Sequence, residues 1–287
     1  MHRKKNNILL AIKVCKESIR KWMSEPRIWT AAFLAAFFAW IQIELVRGVC
    51  VEQNLAISNW YFPFLFSDTI YKLFFFFGIL LLFCNAPFVD NQQMMVVLRS
   101  GKKNWFVGKI LYVFVTTVCF FLWLFLVSIL EFFPYVGFSS RWESIIEMLS
   151  INGQMGEYII PISRNIVLQL TPLQAFLMSY VICVLAGILL GLLIFYINMY
   201  GKTNLGVGGA LCILLMTGIV DVLPLEYQRR FLWVSPISWT DVEVFTLVYG
   251  GISFGYAIAF LTITNILLIV LIMQKAKSYN MEAMEEL

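Results

Sequence analysis

The stretch LQAFLMSYVICVLAGILLGLLIFYINMY, Leu173 to Tyr200, runs for 28 residues without one Asp, Glu, Lys or Arg. A bilayer core of about 30 Å takes about 20 apolar residues in a helix, because each residue advances the chain about 1.5 Å. No water is present there to satisfy an open backbone, so only a helix or a closed barrel can cross. Continuous apolar runs exclude the short alternating segments of a barrel. Working outward, five more runs are long and apolar enough to cross, four of them admitting one or two charged residues: Ile28 to Leu45, Ile70 to Val89, Trp105 to Phe133, Leu205 to Leu223 and Tyr249 to Met273. The fifth in chain order, Leu205 to Leu223, carries four glycines and ends on Asp221 before Pro224, so a break or a tilt is expected there.

The whole composition agrees. The 287 residues are 61% hydrophobic and 13% charged, with a mean hydropathy of +0.82, where soluble domains have about half apolar and about a quarter charged residues. The expected fold is an all-α polytopic membrane protein with six transmembrane helices, residues 28 to 273, in one membrane domain.

Lys and Arg counts orient it. Before the first run lie Arg3, Lys4, Lys5, Lys13, Lys16, Arg20, Lys21 and Arg27, and loops on the same side add Arg99, Lys102, Lys103, Lys202, Lys275 and Lys277. The opposite loops hold Arg47, Arg141, Arg164, Arg229 and Arg230. The positive-inside rule puts both termini in the cytoplasm. Trp29 and Trp105 are then expected near the inner surface, and Trp60, Trp142, Trp233 and Trp239 near the outer one.

Residues 1 to 27 form a basic amphipathic segment. Ile8, Ile12, Cys15, Ile19 and Trp22 recur at helical spacing among Lys13, Lys16, Glu17, Arg20 and Lys21, and Pro26 ends the pattern. The expected helix lies in the inner interface, apolar side in lipid and cations toward acidic headgroups. It serves either as an anchor or as a lever touching a cytoplasmic partner. The outer loops, about 134–172 and 224–248, are long. The first contains a short helical pattern at residues 142–149, and the second mixes Phe231, Leu232, Trp233 and Trp239 with few charges. Residues 274–287 form a cytoplasmic tail.

Catalytic groups are scarce. His2 is the only histidine, which removes histidine triads and H-E-x-x-H zinc sites. The six cysteines contain no C-x-x-C, so no thiolate metal site is indicated. Glu44, Glu131 and Asp221 fall near the outer ends of three different spans and form no acid pair. Gly201, Lys202 and Thr203 mimic the end of a phosphate-binding loop, but the first glycine of that motif is replaced by Tyr196. Gly187 with Gly191, Gly251 with Gly255, and Ala31, Ala32, Ala35 and Ala36 offer small-residue faces for close helix approach, within one subunit or between two.

The segment DNQQMMVVLRSGKKNWFVGKIL, Asp90 to Leu111, sits between the second and third spans. With the basic amphipathic helix, six spans and both ends inside, it resembles the ABC-2 type permeases of bacterial ABC exporters. Their segment has an acidic residue, a short coupling helix, a basic small-residue turn and a Lys opening the third span. Asp90, Gln93 to Leu98, Arg99 to Lys103, and Lys109 take those roles here. The chain departs from that pattern in Asp90, where Glu is frequent, in lacking a Pro before the basic residue, and in its long 134–172 loop.

The resemblance implies the permease subunit of an ATP-driven exporter, non-catalytic itself, in the bacterial cytoplasmic membrane. It implies a cytoplasmic ATPase partner that binds ATP and Mg, a second permease subunit, identical or different, and surrounding membrane lipid, with no nucleic acid. Coupling to the ATPase falls to Asp90, Gln93, Met94, Met95 and Leu98 in a groove, with Arg99, Lys102, Lys103, Lys16 and Arg20 around it. The cations either pair with ATPase acids or follow the positive-inside rule. Asn85, Asp221, Phe231 and Trp233 are the candidates for the pathway or its gate. A channel or sensor subunit without an ATPase, or a membrane-embedded enzyme, are the alternatives.

Overall fold

The structure, a computed structural model, describes residues 2–88, 91–152, 154–155, 158–159, 162–200, 205–246 and 252–279. Its elements are α1 (His2–Arg20), α2 (Pro26–Gln53), α3 (Thr69–Phe83), α4 (Asn91–Ser100), α5 (Lys102–Glu131), α6 (Ser144–Asn152), α7 (Arg164–Gln169), α8 (Pro172–Asn198), α9 (Leu205–Val222), α10 (Leu225–Leu232) and α11 (Phe254–Ser278). Short 3₁₀ turns cover Lys21–Ser24, Phe62–Phe66, Ser238–Thr240 and Val242–Phe245. Strand pairing among the described residues is confined to two-residue pieces, such as Ile57 and Ser58 against Val136 and Gly137.

Local chemistry sets the helix starts. Pro26 and Pro172 stand in the first turns of α2 and α8, where a missing N–H costs nothing. Thr171 and Gln174 close a capping box on α8, Asp68 accepts from Ile70 and Tyr71 at the start of α3, and Ser253 accepts from Tyr256 at the start of α11.

Among the described residues five helices, α2, α5, α8, α9 and α11, are long and apolar enough to cross a bilayer, and the chain is a multi-pass helical membrane protein. The second expected span is shorter than the sequence suggested: α3 has 15 residues and stops at Phe83 rather than Val89. The chain turns at Cys84 to Pro87, as the missing N–H of a proline and the restriction on its predecessor dictate. The glycine-bearing fifth span is one unbroken helix of 18 residues. The sixth starts at Phe254 instead of Tyr249, set by the Ser253 cap.

The most enclosed of the long helices is α8. Two thirds of its central window (67%) is buried, against 28 to 44% for the other four. It packs on α11, α9, α5 and α3. Its small-residue pair permits this: a Cβ on Gly187 would lie 2.7 Å from Thr117 Cγ2, and one on Gly191 would lie 2.8 Å from both Phe83 and Val113. That motif therefore packs within the subunit. Gly255 meets nothing closer than Ser253 Oγ at 4.0 Å, and Gly251 lies outside the described residues.

Polar side chains stitch the helices. Asn265 Nδ2 on α11 donates to Leu185 O on α8 (3.1 Å), Trp123 Nε1 on α5 to Ala32 O on α2 (3.2 Å), and Tyr180 OH on α8 to Val118 O on α5 (3.2 Å). Such bonds are worth about 0.6–2 kcal/mol each inside a membrane.

The helices alternate in direction. The start of α3 meets the end of α9 through Thr69 and Asp221. At the other end Asn198, last in α8, donates to Ala86 O (2.8 Å) and Cys84 O (3.4 Å) after α3, and accepts from Gly206 N (2.9 Å) in α9. One end of the bundle therefore gathers α1, α4 and the basic residues flanking them.

The opposite end is closed by two folded-in segments. Residues 61–66 and 235–240 are buried although neither is α-helical. Protein groups meet several of their polar atoms: Gln42 Nε2 donates to Phe64 O (3.1 Å), Trp239 Nε1 to Leu232 O (2.7 Å) and Ser179 Oγ to Thr240 O (3.5 Å). This is the condition for irregular backbone at membrane depth. Trp239, expected at the surface, is buried against Tyr256 and Phe260.

Candidate docking face at the basic end of the bundle

The basic segment between α3 and α5 folds as a helix, a one-residue elbow and a second helix. Gly101 forms the elbow at φ 79°, in a left-handed region that favours glycine. Three carbonyls in the last turns of α4 are engaged locally: Gly101 N donates to Val97 O (2.8 Å), Ser100 Oγ to Val96 O (2.7 Å) and Asn104 Nδ2 to Ser100 O (2.8 Å). Asn104 belongs to α5, so the elbow is braced from both sides. On α4, Val96 and Val97 turn toward the core, while Met95 and Leu98 are 63% and 77% exposed.

The basic amphipathic helix α1 does not lie with its apolar side wholly in lipid. Ala11, Val14, Cys15 and Ser18 are buried against α5, and Ile8, Leu9 and Ile12 are left exposed. Small residues let the backbones touch: a Cβ on Gly108 would fall 2.7 Å from Val14 Cβ and 2.8 Å from Ala11 O. Next to it Lys109, 1% exposed, donates to Ser18 Oγ (3.1 Å), and its Nζ lies 5.4 Å and 5.5 Å from the ring centroids of Trp105 and Phe88. Donor satisfaction and ring faces together offset the loss of hydration of a buried ammonium. Burial pushes the Cys15 thiol up, and the Lys109 charge pulls it back in part. Trp105, expected at the inner interface, is fully buried in this joint.

The residues assigned to coupling gather at this end. Arg99 and Lys103 are exposed beside Met95 and Leu98, and Lys16 and Arg20 are exposed on α1, which touches α4. Lys102 is half-buried and donates to the Tyr279 carbonyl after α11. Asp90 lies outside the described residues, as do the side chains of Gln93 and Met94, which stand on α4. The four pathway candidates do not form one site. Asn85 is exposed in the turn after α3, next to Cys84 at the basic end. Asp221, Phe231 and Trp233 are exposed at the far end, and Trp233 O accepts from Tyr256 OH (3.2 Å).

That far end holds a polar cluster missed in the sequence. Lys72, one turn into α3, is 3% exposed and interacts with Asp241 and Cys183. Asp241 Oδ1 accepts from Glu243 N (3.0 Å), and Glu243 Oε1 accepts from Asn165 Nδ2 on α7 (2.9 Å). Burial pushes the Asp241 carboxyl up to about 6. Lys72 and the Glu243 N–H oppose the rise, while Glu243 and Asp221 add to it. The available signal was a lysine in TIYKLFFFF that faces inward rather than to a loop. Among the described residues no group of three or more His, Cys, Asp or Glu is placed to hold a metal ion.

An apolar cavity of about 310 Å³ opens between the α1–α2 connection, α3 and α5, lined by Trp22, Ile28, Trp29, Leu82, Phe120 and Trp123 among others.

Comparison with protein-family models, curated proteins and solved structures finds no match. The class that fold and composition define is a multi-pass helical membrane protein.

Proposed function

We propose that the chain is the membrane-spanning, non-catalytic subunit of an ATP-driven exporter of the ABC-2 type. It crosses the bacterial cytoplasmic membrane six times with both termini inside, pairs with a second such subunit, and docks a separate ATPase that binds ATP and Mg. The observation that carries the reading is α4: a 10-residue helix with Met95 and Leu98 exposed, exposed cations beside them, and a link to a long apolar helix through one glycine. Exposed Met and Leu at helical spacing suit a groove on a partner. Six crossings are supported by α3 packing antiparallel to α9: Thr69 meets Asp221 at one end, and at the other Asn198 of α8 bridges the turn after α3 and the start of α9.

The proposed mechanism is mechanical. Closure of two ATPases displaces α4; the braced elbow transmits the displacement to α5, and the Lys109–Ser18 joint carries α1 with it. The helices then expose a path outward, with α3 and α9 along it as the resemblance implies. The test is co-purification from native membranes. Met95→Asp with Leu98→Asp is expected to abolish recovery of an ATPase bearing a phosphate-binding loop while membrane insertion is unchanged. Undiminished recovery, or no such ATPase with the unaltered chain, overturns the reading in favour of a channel or sensor subunit.

A further inference from the structure

At the basic end, a cavity of about 460 Å³ opens between the start of α5 and the end of α11. Its lining divides by chemistry. Lys102, Lys103 and Lys277 form one wall, and Ile269, Val270 and Met273 form the other. The remaining lysine of this corner, Lys275, is engaged elsewhere, its Nζ lying 4.1 Å from the Tyr200 ring centroid.

We propose that this cavity is a binding site for an anionic glycerophospholipid, the phosphate held by the three lysines and an acyl chain laid along α11. Three observations point to that ligand. The volume falls within the range of small-molecule sites, about 300–1,000 Å³. The lysine wall is partly pre-set: Lys102 spends one of its three donors on the Tyr279 carbonyl, which leaves two for a phosphate. Tyr279 is itself fixed against Phe106 at 5.8 Å between ring centroids. The apolar wall also continues. Ile263, Ile266, Leu267 and Val270 are exposed at spacings of three and four on one face of α11, so from Ile263 to Lys277 an apolar track of about 20 Å leads to the charged corner. A free phosphate has no use for such a track, and a protein strand or helix has no use for charge confined to one end. The site does not depend on the export reading.

The experiment measures phospholipid retained by the purified chain, by native mass spectrometry, after exchange into mixed micelles of phosphatidylglycerol and phosphatidylcholine. The unaltered chain is expected to retain phosphatidylglycerol preferentially. A lysine near an anionic headgroup changes affinity roughly fivefold, so Lys103→Gln with Lys277→Gln is expected to weaken retention roughly 25-fold. Arg229→Gln with Arg230→Gln, which removes the same charge from exposed positions of α10 at the far end of the bundle, is expected to change it less than twofold. Equal loss in the two double variants, or equal retention of both lipids, overturns the proposal. So does an equal thermal stabilisation by inorganic phosphate in neutral detergent, which would assign the cavity to a free anion. Shortening the chain to Tyr279 removes Glu282, Glu285 and Glu286. The lysine dependence is expected to survive it, and its disappearance would assign the cavity to the acidic tail.

Discussion

Substituting Gly108 by valine probes the joint on which α1 is mounted. The added Cβ would stand 2.7 Å from Val14 Cβ and 2.8 Å from both Val14 Cγ1 and Ala11 O, where ordinary contact begins at 3.4 Å. Two of these three atoms belong to a short branched side chain and one to backbone, so the strain is relieved by lifting α1 away from α5. Overpacking of this kind costs about 1–3 kcal/mol. The same figure expressed as a shift in a local opening equilibrium is roughly 5- to 150-fold. Cys15 reports on it directly. It is buried in the joint, and burial holds its thiol in the unreactive protonated form. With Cys50, Cys84, Cys119, Cys183 and Cys212 replaced by Ser or Ala, maleimide labelling of Cys15 in native membranes is expected to accelerate by that factor in the Gly108→Val chain. Gly48→Ala, a position where an added Cβ meets nothing within 4 Å, is expected to leave the rate unchanged. Labelling of Cys15 as slow in the Gly108→Val chain as in the chain with glycine there would falsify the close approach of α1 and α5.

Three further outcomes are expected. Lys109→Met keeps the stem but removes the donor to Ser18, and is expected to lower stability in detergent by about 1–3 kcal/mol, read as a fall in Tm. Asn198→Leu leaves the carbonyls of Cys84 and Ala86 and the N–H of Gly206 without this partner, at about 1–3 kcal/mol for each group left unmet, whereas Asn198→Asp retains the acceptor for Gly206 and is expected to recover part of the loss. The third concerns pH. Asp241 binds its proton more tightly folded, at about 6, than unfolded, near 3.8. Its contribution to stability is therefore present below about pH 3.8 and lost as pH rises through 6. Tm measured over that window is expected to fall less steeply in Asp241→Asn, and removal of the opposing charge in Lys72→Met is expected to move the midpoint higher. An unchanged pH profile in Asp241→Asn would show that this carboxyl does not titrate differently in the folded chain.

The helical membrane fold was legible in the sequence because a bilayer imposes one requirement on every residue of a span. Apolar length alone marked α2, α5, α8, α9 and α11, and Pro26, Pro172 and Pro224 marked their neighbours' limits. The helix α4 was anticipated only through the resemblance, which assigned a short helix to Gln93 to Leu98; the structure extends it over Asn91–Ser100. The inward turn of residues 61–66 and 235–240 was not legible. Their aromatic composition suits a surface belt and a buried plug equally, and the choice rests on acceptors and donors from distant parts of the chain, such as Gln42 and Ser179.

The apolar side of α1 shows the same limit. Periodicity singled out Ile8, Ile12, Cys15, Ile19 and Trp22 as the face with somewhere to go, yet the face that packs is Ala11, Val14, Cys15 and Ser18. A hydrophobic stripe records preference for leaving water, and in a membrane protein lipid satisfies that preference as well as protein does. What selects the packed face is shape, here the space over Gly108 and the reach of Lys109 to Ser18. The sequence by itself therefore determined which segments enter the bilayer and which end carries the positive charge, since both follow from solvation and sign. Only the tertiary structure decided which charges are buried, as Lys72 in α3 and Lys109 in α5, and which small residues meet, because those depend on the other side of a contact that linear order does not contain.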